Sequence, residues 1–177
     1  MRKKRNYFLS YHHEYDQGYV KILRSSKEGM RIADYSLKEN ISSLTDEKIY
    51  QIIREKMRSC SVTIILIGEM TGHRKWIDWE IWASLRGYKN NKNPLKSFKP
   101  KGLLAIYLPT KSHSIPERLQ QNIDSGYAVS MNWRNIERDL ESKINYAIWK
   151  RDNTTHKIKN TLEKVDRNYL NFLGFKI

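Results

Sequence analysis

The run from Val62 to Ile67 limits what this 177-residue chain can fold into more than any other stretch. It consists largely of β-branched apolar residues and ends at Gly68, which is typical of a strand buried on both faces in the middle of a parallel sheet. A polar segment from Gly68 to Lys75 follows, and from Trp76 the apolar residues recur at helical spacing. The pattern predicts a central strand, a loop and a helix. Because ligands of open α/β sheets bind beyond the carboxyl ends of strands, this loop is the first candidate site.

Strands and helices alternate about five times along the chain. The other predicted strands are Tyr7–Tyr11, a weak edge strand Arg31–Leu37, Gly102–Leu108 and Tyr127–Trp133. The other predicted helices cover Tyr15–Arg24, the stretch from the N-cap Thr45 to Cys60, a short segment opened by Ser114–Pro116, and the apolar stripe from Ile136 to Ile148. This order predicts an α/β fold, a flavodoxin-like doubly wound parallel five-stranded sheet.

Composition restricts the compartment and the partners. The 33 Lys and Arg residues against 19 Asp and Glu give a formal charge of +14, which attracts polyanions without defining a fold. Cys60 is the single cysteine, so we expect no intrachain disulfide and a reducing, cytoplasmic setting. The apolar part after the basic start is only Tyr7–Leu9, and no segment approaches the roughly 20 apolar residues of a membrane span. We therefore expect a soluble protein with no membrane contact.

The loops can be sorted by the end of the sheet at which they lie. Four of the five histidines fall in strand-to-helix loops, at the end where ligands bind: His12, His13, His73 and His113. Their spacing matches no common metal motif, so we favour a polar lining over a metal site. The basic segment Lys89–Lys101 lies at the opposite end, where a solvated loop is favoured over nucleic-acid docking.

Glu80 lies one helical turn beyond Trp76, where its carboxylate should lean toward the sheet. Two interpretations are equally compatible with this spacing: a half-buried functional acid, and a first-turn glutamate that complements the helix dipole. Three cations, His73, Arg74 and Lys75, crowd the helix start, an arrangement that favours a phosphate-bearing ligand.

Three segments resemble a known family, the TIR-like domains of bacterial Thoeris antiphage defence proteins. They are Tyr7–His12, Ser61–Gly68 and, above all, Arg74–Ile81, and the order of elements matches from about Tyr7 to Trp149. The resemblance implies cleavage of the nicotinamide–ribose bond of NAD, with NAD as substrate and no other cofactor. It also implies an ADP-ribose-derived signal, cyclic ADP-ribose among the possible products, that activates a partner effector protein. The position that matches the family's catalytic glutamate is Glu80.

The chemistry of this reaction is compatible with a single carboxylate. Nicotinamide leaves as a neutral molecule from a cationic linkage, so no second acid has to protonate the leaving group. Glu80 could stabilise the positive charge that develops on the ribose, while Tyr11 or Trp76 offers a stacking face and Arg74 a phosphate contact. We also assign Ser10 and His12, from the opening motif, to substrate binding.

Two other classes of function stay open. A non-catalytic TIR-type interaction module would share the fold, because fold does not establish activity. A basic nucleic-acid-binding protein would be compatible with the charge, but we consider it the less favoured alternative. A phosphoacceptor receiver is discounted because it needs an aspartate at the end of the third strand, where this chain has Ile67, Gly68 and Glu69.

The C-terminal part of the chain lies beyond the five-stranded pattern. We expect a TIR-like domain over residues 1–150 and a further amphipathic helix over residues 151–177. Its apolar stripe comprises Ile158, Leu162, Val165, Tyr169 and Phe172. Such a stripe must be covered. Folding back onto the domain is slightly favoured over self-association into a homo-oligomer.

Overall fold

The run from Val62 to Ile67 lies in the middle strand of a five-stranded parallel sheet. The computed structural model describes residues 6–25, 32–33, 44–90 and 93–164. Seven strands occur in this part of the chain: β1 (Asn6–Ser10), β2 (Ile32–Ala33), β3 (Cys60–Ile67), β4 (Tyr88–Asn90), β5 (Asn93–Phe98), β6 (Gly102–Tyr107) and β7 (Val129–Asn132). The main sheet has the order β2-β1-β3-β6-β7, and all of its pairings are parallel. The predicted flavodoxin-like α/β class is confirmed.

Five α-helices cover the two faces of the sheet in the described residues. They are α1 (Gln17–Ser25), α2 (Asp46–Met57), α3 (Lys75–Ser84), α4 (Glu117–Asp124) and α5 (Ile136–Asn153). The first and last of these pack on one face, and the other three pack on the opposite face. The predicted N-cap of α2 is confirmed, since the Thr45 hydroxyl accepts a hydrogen bond from the Lys48 N–H at 3.4 Å. Among the described helices, none is both long and apolar enough to cross a bilayer.

The central strand separates two apolar clusters, as its composition predicts. Ile64 and Leu66 point to the α1 and α5 side, whereas Ile65 and Ile67 point to the side of α3 and α4. This alternation follows from the two-residue period of a strand, and all four side chains are fully buried. A strand buried in this way fixes the register of its neighbours, because a one-residue slip would exchange the two faces.

The segment Lys89–Lys101 is more ordered than a loop. Strands β4 and β5 pair there as an antiparallel hairpin, with Tyr88 opposite Phe98. The sequence interpretation missed this hairpin because the segment lacks an alternating apolar pattern. Its placement between α3 and β6, at the end of the sheet away from the strand-to-helix loops, agrees with the prediction. The predicted edge strand Arg31–Leu37 is seen at Ile32–Ala33, next to β1; the rest of that prediction lies outside the described residues.

The C-terminal extension differs from the prediction of an amphipathic helix over residues 151–177. Helix α5 continues past residue 150 and ends at Asn153. Between Thr154 and Lys164 the chain forms one 3₁₀ turn, Thr155–Lys157, and no α-helix. The reason is that side chains of α4 bind backbone groups of this segment, which are then not available for helical hydrogen bonds. Residues 165–177, which include Val165, Tyr169 and Phe172, lie outside the described residues.

Candidate functional site

A pocket opens where β1 and β3 end and the loops that follow them meet. Its volume is about 210 Å³. The β1–α1 loop and the first turns of α3 supply nearly all of the lining: Leu9, Tyr11, His12, His13, Arg74, Trp76, Ile77 and Glu80. The pocket therefore occupies the position at which open α/β sheets bind their ligands.

The loop between β3 and α3 is held in a fixed shape. The Thr71 hydroxyl accepts from the Gly68 N–H at 2.8 Å and donates to the Leu66 carbonyl at 3.1 Å. The Gly72 N–H donates to the Ser114 carbonyl at 2.9 Å, which ties the loop to the one before α4. Glycine suits position 72, because a Cβ would lie 2.5 Å from the Ser114 hydroxyl and 3.1 Å from the backbone carbonyl carbons of Ser114 and Ile115. These contacts define where α3 begins, and so where its side chains lie.

Glu80 is the buried carboxyl of the pocket. Only 6% of the residue is exposed, and the Ser10 hydroxyl donates a hydrogen bond to its Oε2 at 2.5 Å. Burial raises the pKa of Glu80 from 4.5 to about 8, although the Ser10 hydrogen bond and the charge of Lys56 act in the opposite direction. Helix α3 begins at Lys75, so Glu80 lies beyond its first turn, where Asp78 is the acidic residue. Glu80 is therefore not a first-turn glutamate that complements the helix dipole. A carboxyl with this pKa is mostly protonated at neutral pH.

His12 and Arg74 form a second polar pair. The Arg74 Nε–H donates to His12 Nε2 at 2.8 Å. Because a guanidinium can only donate, the ring proton of the neutral histidine must be on Nδ1. Burial, with the charges of Arg74 and His13, lowers the pKa of His12 to about 4, so the ring is neutral. On its outer side the Arg74 guanidinium lies 3.8 Å from the Glu14 carboxylate.

Asp16 is a buried carboxyl whose structural role the sequence interpretation did not identify. Its Oδ2 accepts from the His12 N–H at 3.1 Å, and its own N–H donates to the His12 carbonyl at 2.9 Å. Burial raises the pKa of Asp16 to about 6, and the hydrogen bond from His12 opposes this effect. Gly68 makes room for the carboxyl, since a Cβ there would lie 3.0 Å from Asp16 Oδ1. Asp16 therefore fixes the loop that presents His12. Its position as an acidic residue in a strand-to-helix loop was the signal in the sequence that could have identified Asp16.

Aromatic rings form the walls of the pocket. Tyr11 packs against His13, with ring centroids 4.7 Å apart. Trp76 packs edge-on against Trp79 at 5.3 Å, and Trp79 is fully buried beneath it. Tyr11 and Trp76 come from different elements, the β1–α1 loop and α3, yet line the same pocket. Such surfaces suit a planar heterocycle.

The structure brings most of the predicted site residues together. Tyr11, His12, Arg74, Trp76 and Glu80 line the pocket, and Ser10 lies behind Glu80 as its hydrogen-bond donor. Of the three basic residues at the start of α3, His73, Arg74 and Lys75, only Arg74 lines the pocket. The Lys75 ammonium lies over the Trp76 ring at 4.7 Å from its centroid and 3.9 Å from the Asp46 carboxylate, and His73 is not part of the lining. No cluster of metal-ligating side chains occurs within the described ranges.

A model of a known protein family matches most of the sheet-forming part of the chain. The model of the family described as "Thoeris protein ThsB, TIR-like domain" matches residues 8–113. The matched range begins in β1 and ends in the loop before α4, so it contains all six predicted site residues. No curated protein matches the chain.

Proposed function

Because the chain belongs to the family of the Thoeris protein ThsB TIR-like domain, which indicates an antiphage defence protein, we propose that it is an enzyme that cleaves NAD. The bond broken is the one between nicotinamide and ribose. The ADP-ribose part becomes a signal that activates a separate effector protein. The single cysteine, Cys60, is buried and unpaired, which is compatible with a reducing cytoplasm, where NAD is abundant.

The observation that carries this proposal is the position of Glu80. Its carboxyl is buried in a pocket that Tyr11 and Trp76 also line, and the Ser10 hydroxyl donates to one of its oxygens at 2.5 Å. A buried carboxyl whose pKa is strongly raised, in a pocket at the end of the central strands, has the properties of a functional acid. The sequence resemblance also implies that this residue takes the position of the family's catalytic glutamate.

The reaction needs one negative charge near the ribose. When the bond between the ribose C1′ and the nicotinamide nitrogen breaks, the electron pair stays on that nitrogen, and nicotinamide leaves uncharged. Positive charge then develops at C1′, and the ionised Glu80 stabilises it. The proton of Glu80 passes to solvent when the cationic nicotinamide–ribose part of NAD enters the pocket, because a nearby positive charge favours the carboxylate. Attack of water on C1′ gives ADP-ribose and releases one proton; attack of a hydroxyl or amine gives a cyclised or conjugated product.

The other pocket residues bind and orient the substrate in this scheme. Tyr11 and Trp76 stack against the planar rings, and Arg74 contacts the pyrophosphate. His12 is neutral and paired with Arg74, so it adds a polar wall without adding charge. The hydrogen bond from Arg74 to His12 holds the guanidinium in the lining of the pocket before substrate binds.

Product analysis tests the proposal directly. The purified protein is incubated with NAD, and the products are separated and identified by mass; the same analysis is made on extracts of phage-infected cells that express it. We expect free nicotinamide and an ADP-ribose-derived product in equal amounts. If neither sample contains them, while the cells still resist phage, the chain acts as a non-catalytic TIR-type interaction module and the proposal fails.

A further inference from the structure

Residues 158–164, which we call the C-terminal strap, run across α3 and α4 on the outside of the sheet. The side-chain amide of Asn122, in α4, clamps the start of the strap: its Nδ2 donates to the Lys159 carbonyl at 2.6 Å, and its Oδ1 accepts from the Lys159 N–H at 3.0 Å. Ile158 packs against the apolar cluster under the same helices. The strap is thus held through its backbone as well as its apolar side chain.

Arg118, also in α4, holds the end of the strap and α3 at the same time. It is only 1% exposed, and it forms a bidentate ion pair with Asp78 of α3 at 2.8 and 3.2 Å. Its remaining N–H groups donate to the carbonyls of Leu162 and Glu163 and to the Asn160 side chain. All five guanidinium donors are therefore used. A single buried cation joins three segments that are distant in the sequence.

Two strap side chains reach α3 directly. The Asn160 amide donates to the Trp82 carbonyl at 3.2 Å, a group in the last turn of the helix, where carbonyls lack helical partners. The Lys164 ammonium lies over the rings of Trp79 and Trp82, 4.2 and 4.9 Å from their centroids. Cation–π contacts of this kind are strongest where the ring is buried, as Trp79 is.

The strap and the pocket lie on largely opposite sides of α3. Trp76, Ile77 and Glu80 line the pocket, whereas the strap network contacts Asp78, Trp79 and Trp82. At 100° per residue, the two sets of three point in roughly opposite directions around the helix. Trp79 connects them, because it packs against Trp76 on one side and receives Lys164 on the other.

We propose that the C-terminal strap positions α3 for NAD cleavage and that Lys164 is a positioning residue of the site. The strap holds the outer side of the helix while Ser10 holds Glu80 on the inner side, so that Glu80 and Trp76 keep their places in the pocket. The catalytic consequence rests on the proposed function. The family match ends at residue 113, before Arg118 and the strap, so this support for α3 is a feature that the match does not include.

Hydrogen exchange tests the strap without any assay of activity. Lys164→Met removes the charge and keeps most of the length of the side chain, Lys164→Arg retains a cation over the rings, and Lys159→Met removes an exposed charge from the same strap. We expect the amides of Lys75–Ser84 to exchange about fivefold faster in Lys164→Met, and at the parental rate in the other two variants. Unchanged exchange in α3, or faster exchange in every element alike, would overturn the proposal. Asn160→Ala provides a second variant with the same expectation.

Kinetics with NAD then tests the catalytic consequence. We expect kcat/KM to fall about fivefold in Lys164→Met, to recover in Lys164→Arg, and to be unaffected in Lys159→Met. If the parent protein cleaves NAD neither in purified form nor in infected cells, the proposed function fails, whereas the exchange data still decide whether the strap holds α3. If α3 exchanges faster while kcat/KM is unchanged in Lys164→Met, the positioning role is wrong and the proposed function stands.

Discussion

At the scale of single residues, the environment of Glu80 determines when the site can act. The carboxyl is buried, and burial raises its pKa to about 8, so it is mostly protonated at neutral pH. Stabilisation of a developing positive charge needs the ionised form. The site therefore depends on pH in a direction that can be measured.

We predict that kcat/KM for NAD rises with pH, is half-maximal near pH 8 and levels off only at higher pH, because kcat/KM reports the ionisation of the free enzyme. The pKa in the folded protein is raised, so the active carboxylate is scarce below this value and abundant above it. His12, with a pKa of about 4, stays neutral throughout, and Asp16, at about 6, has ionised by neutral pH. Ser10→Ala should move the rise to higher pH, because the Ser10 hydrogen bond lowers the pKa of Glu80. Initial rates that are flat from pH 6.5 to 9.5 would contradict this account.

Arg74 is expected to act in binding. Arg74→Ala removes the cation that faces the pocket mouth and leaves His12 Nε2 without its donor. We predict an increase in KM of about tenfold or more with a smaller change in kcat, since loss of a charged hydrogen bond removes roughly 1.5–3 kcal/mol. Steady-state kinetics separates the two constants. A drop in kcat alone, at an unchanged KM, would exclude a simple phosphate-binding role.

At the scale of elements, local signals in the sequence account for α2. Thr45 caps the helix, and Ile49, Ile53 and Met57 form its buried stripe. We predict that Thr45→Ala lowers the free energy of unfolding by about 1 kcal/mol, the usual loss when a capping oxygen is removed. Thr45→Ser retains the oxygen and should unfold near the parental midpoint. Urea titration gives the unfolding midpoint of each of the three proteins. Equal midpoints for Thr45→Ala and the parent would show that this cap adds no stability.

The elements that could be predicted are those with a strong local pattern. The apolar run in β3, the glycine at its end and the helical spacing from Trp76 gave the centre of the fold and the location of the pocket. The hairpin β4–β5 carries no such pattern, because its segment is rich in Lys and Asn. Backbone hydrogen bonds hold its two strands together, and such bonds do not depend on which polar side chains the segment carries.

The contacts that could not be predicted join residues far apart in the sequence. Ser10 and Glu80 are separated by 70 positions, and the pairing of β1 with β3 together with the fixed loop before α3 brings them into contact. The strap was interpreted as a helix because Ile158 and Leu162 have helical spacing. Asn122 and Arg118 bind its backbone instead, and nothing in the local sequence of the strap indicates those partners.

At the scale of the whole molecule, the described part of the C-terminal extension covers its own domain. Ile158 packs against the cluster formed by α3, α4 and the sheet. We predict that Ile158→Asp lowers the melting temperature by several degrees, because a charge replaces a packed apolar side chain. Light scattering should give the same mass for this variant as for the parent. A fall in mass at an unchanged melting temperature would instead identify the segment as an assembly contact.

In the proposed mechanism, one buried carboxylate, that of Glu80, supports NAD cleavage. The most direct measurement compares the turnover of NAD by the parent, by Glu80→Gln and by Glu47→Gln, which makes the same chemical change at an exposed position in α2. Glu80→Gln keeps the shape of the side chain but removes its charge, so we predict that turnover falls at least about 100-fold with little change in folding. Glu47→Gln should match the parent. If Glu80→Gln releases nicotinamide at the parental rate, Glu80 is not the catalytic residue.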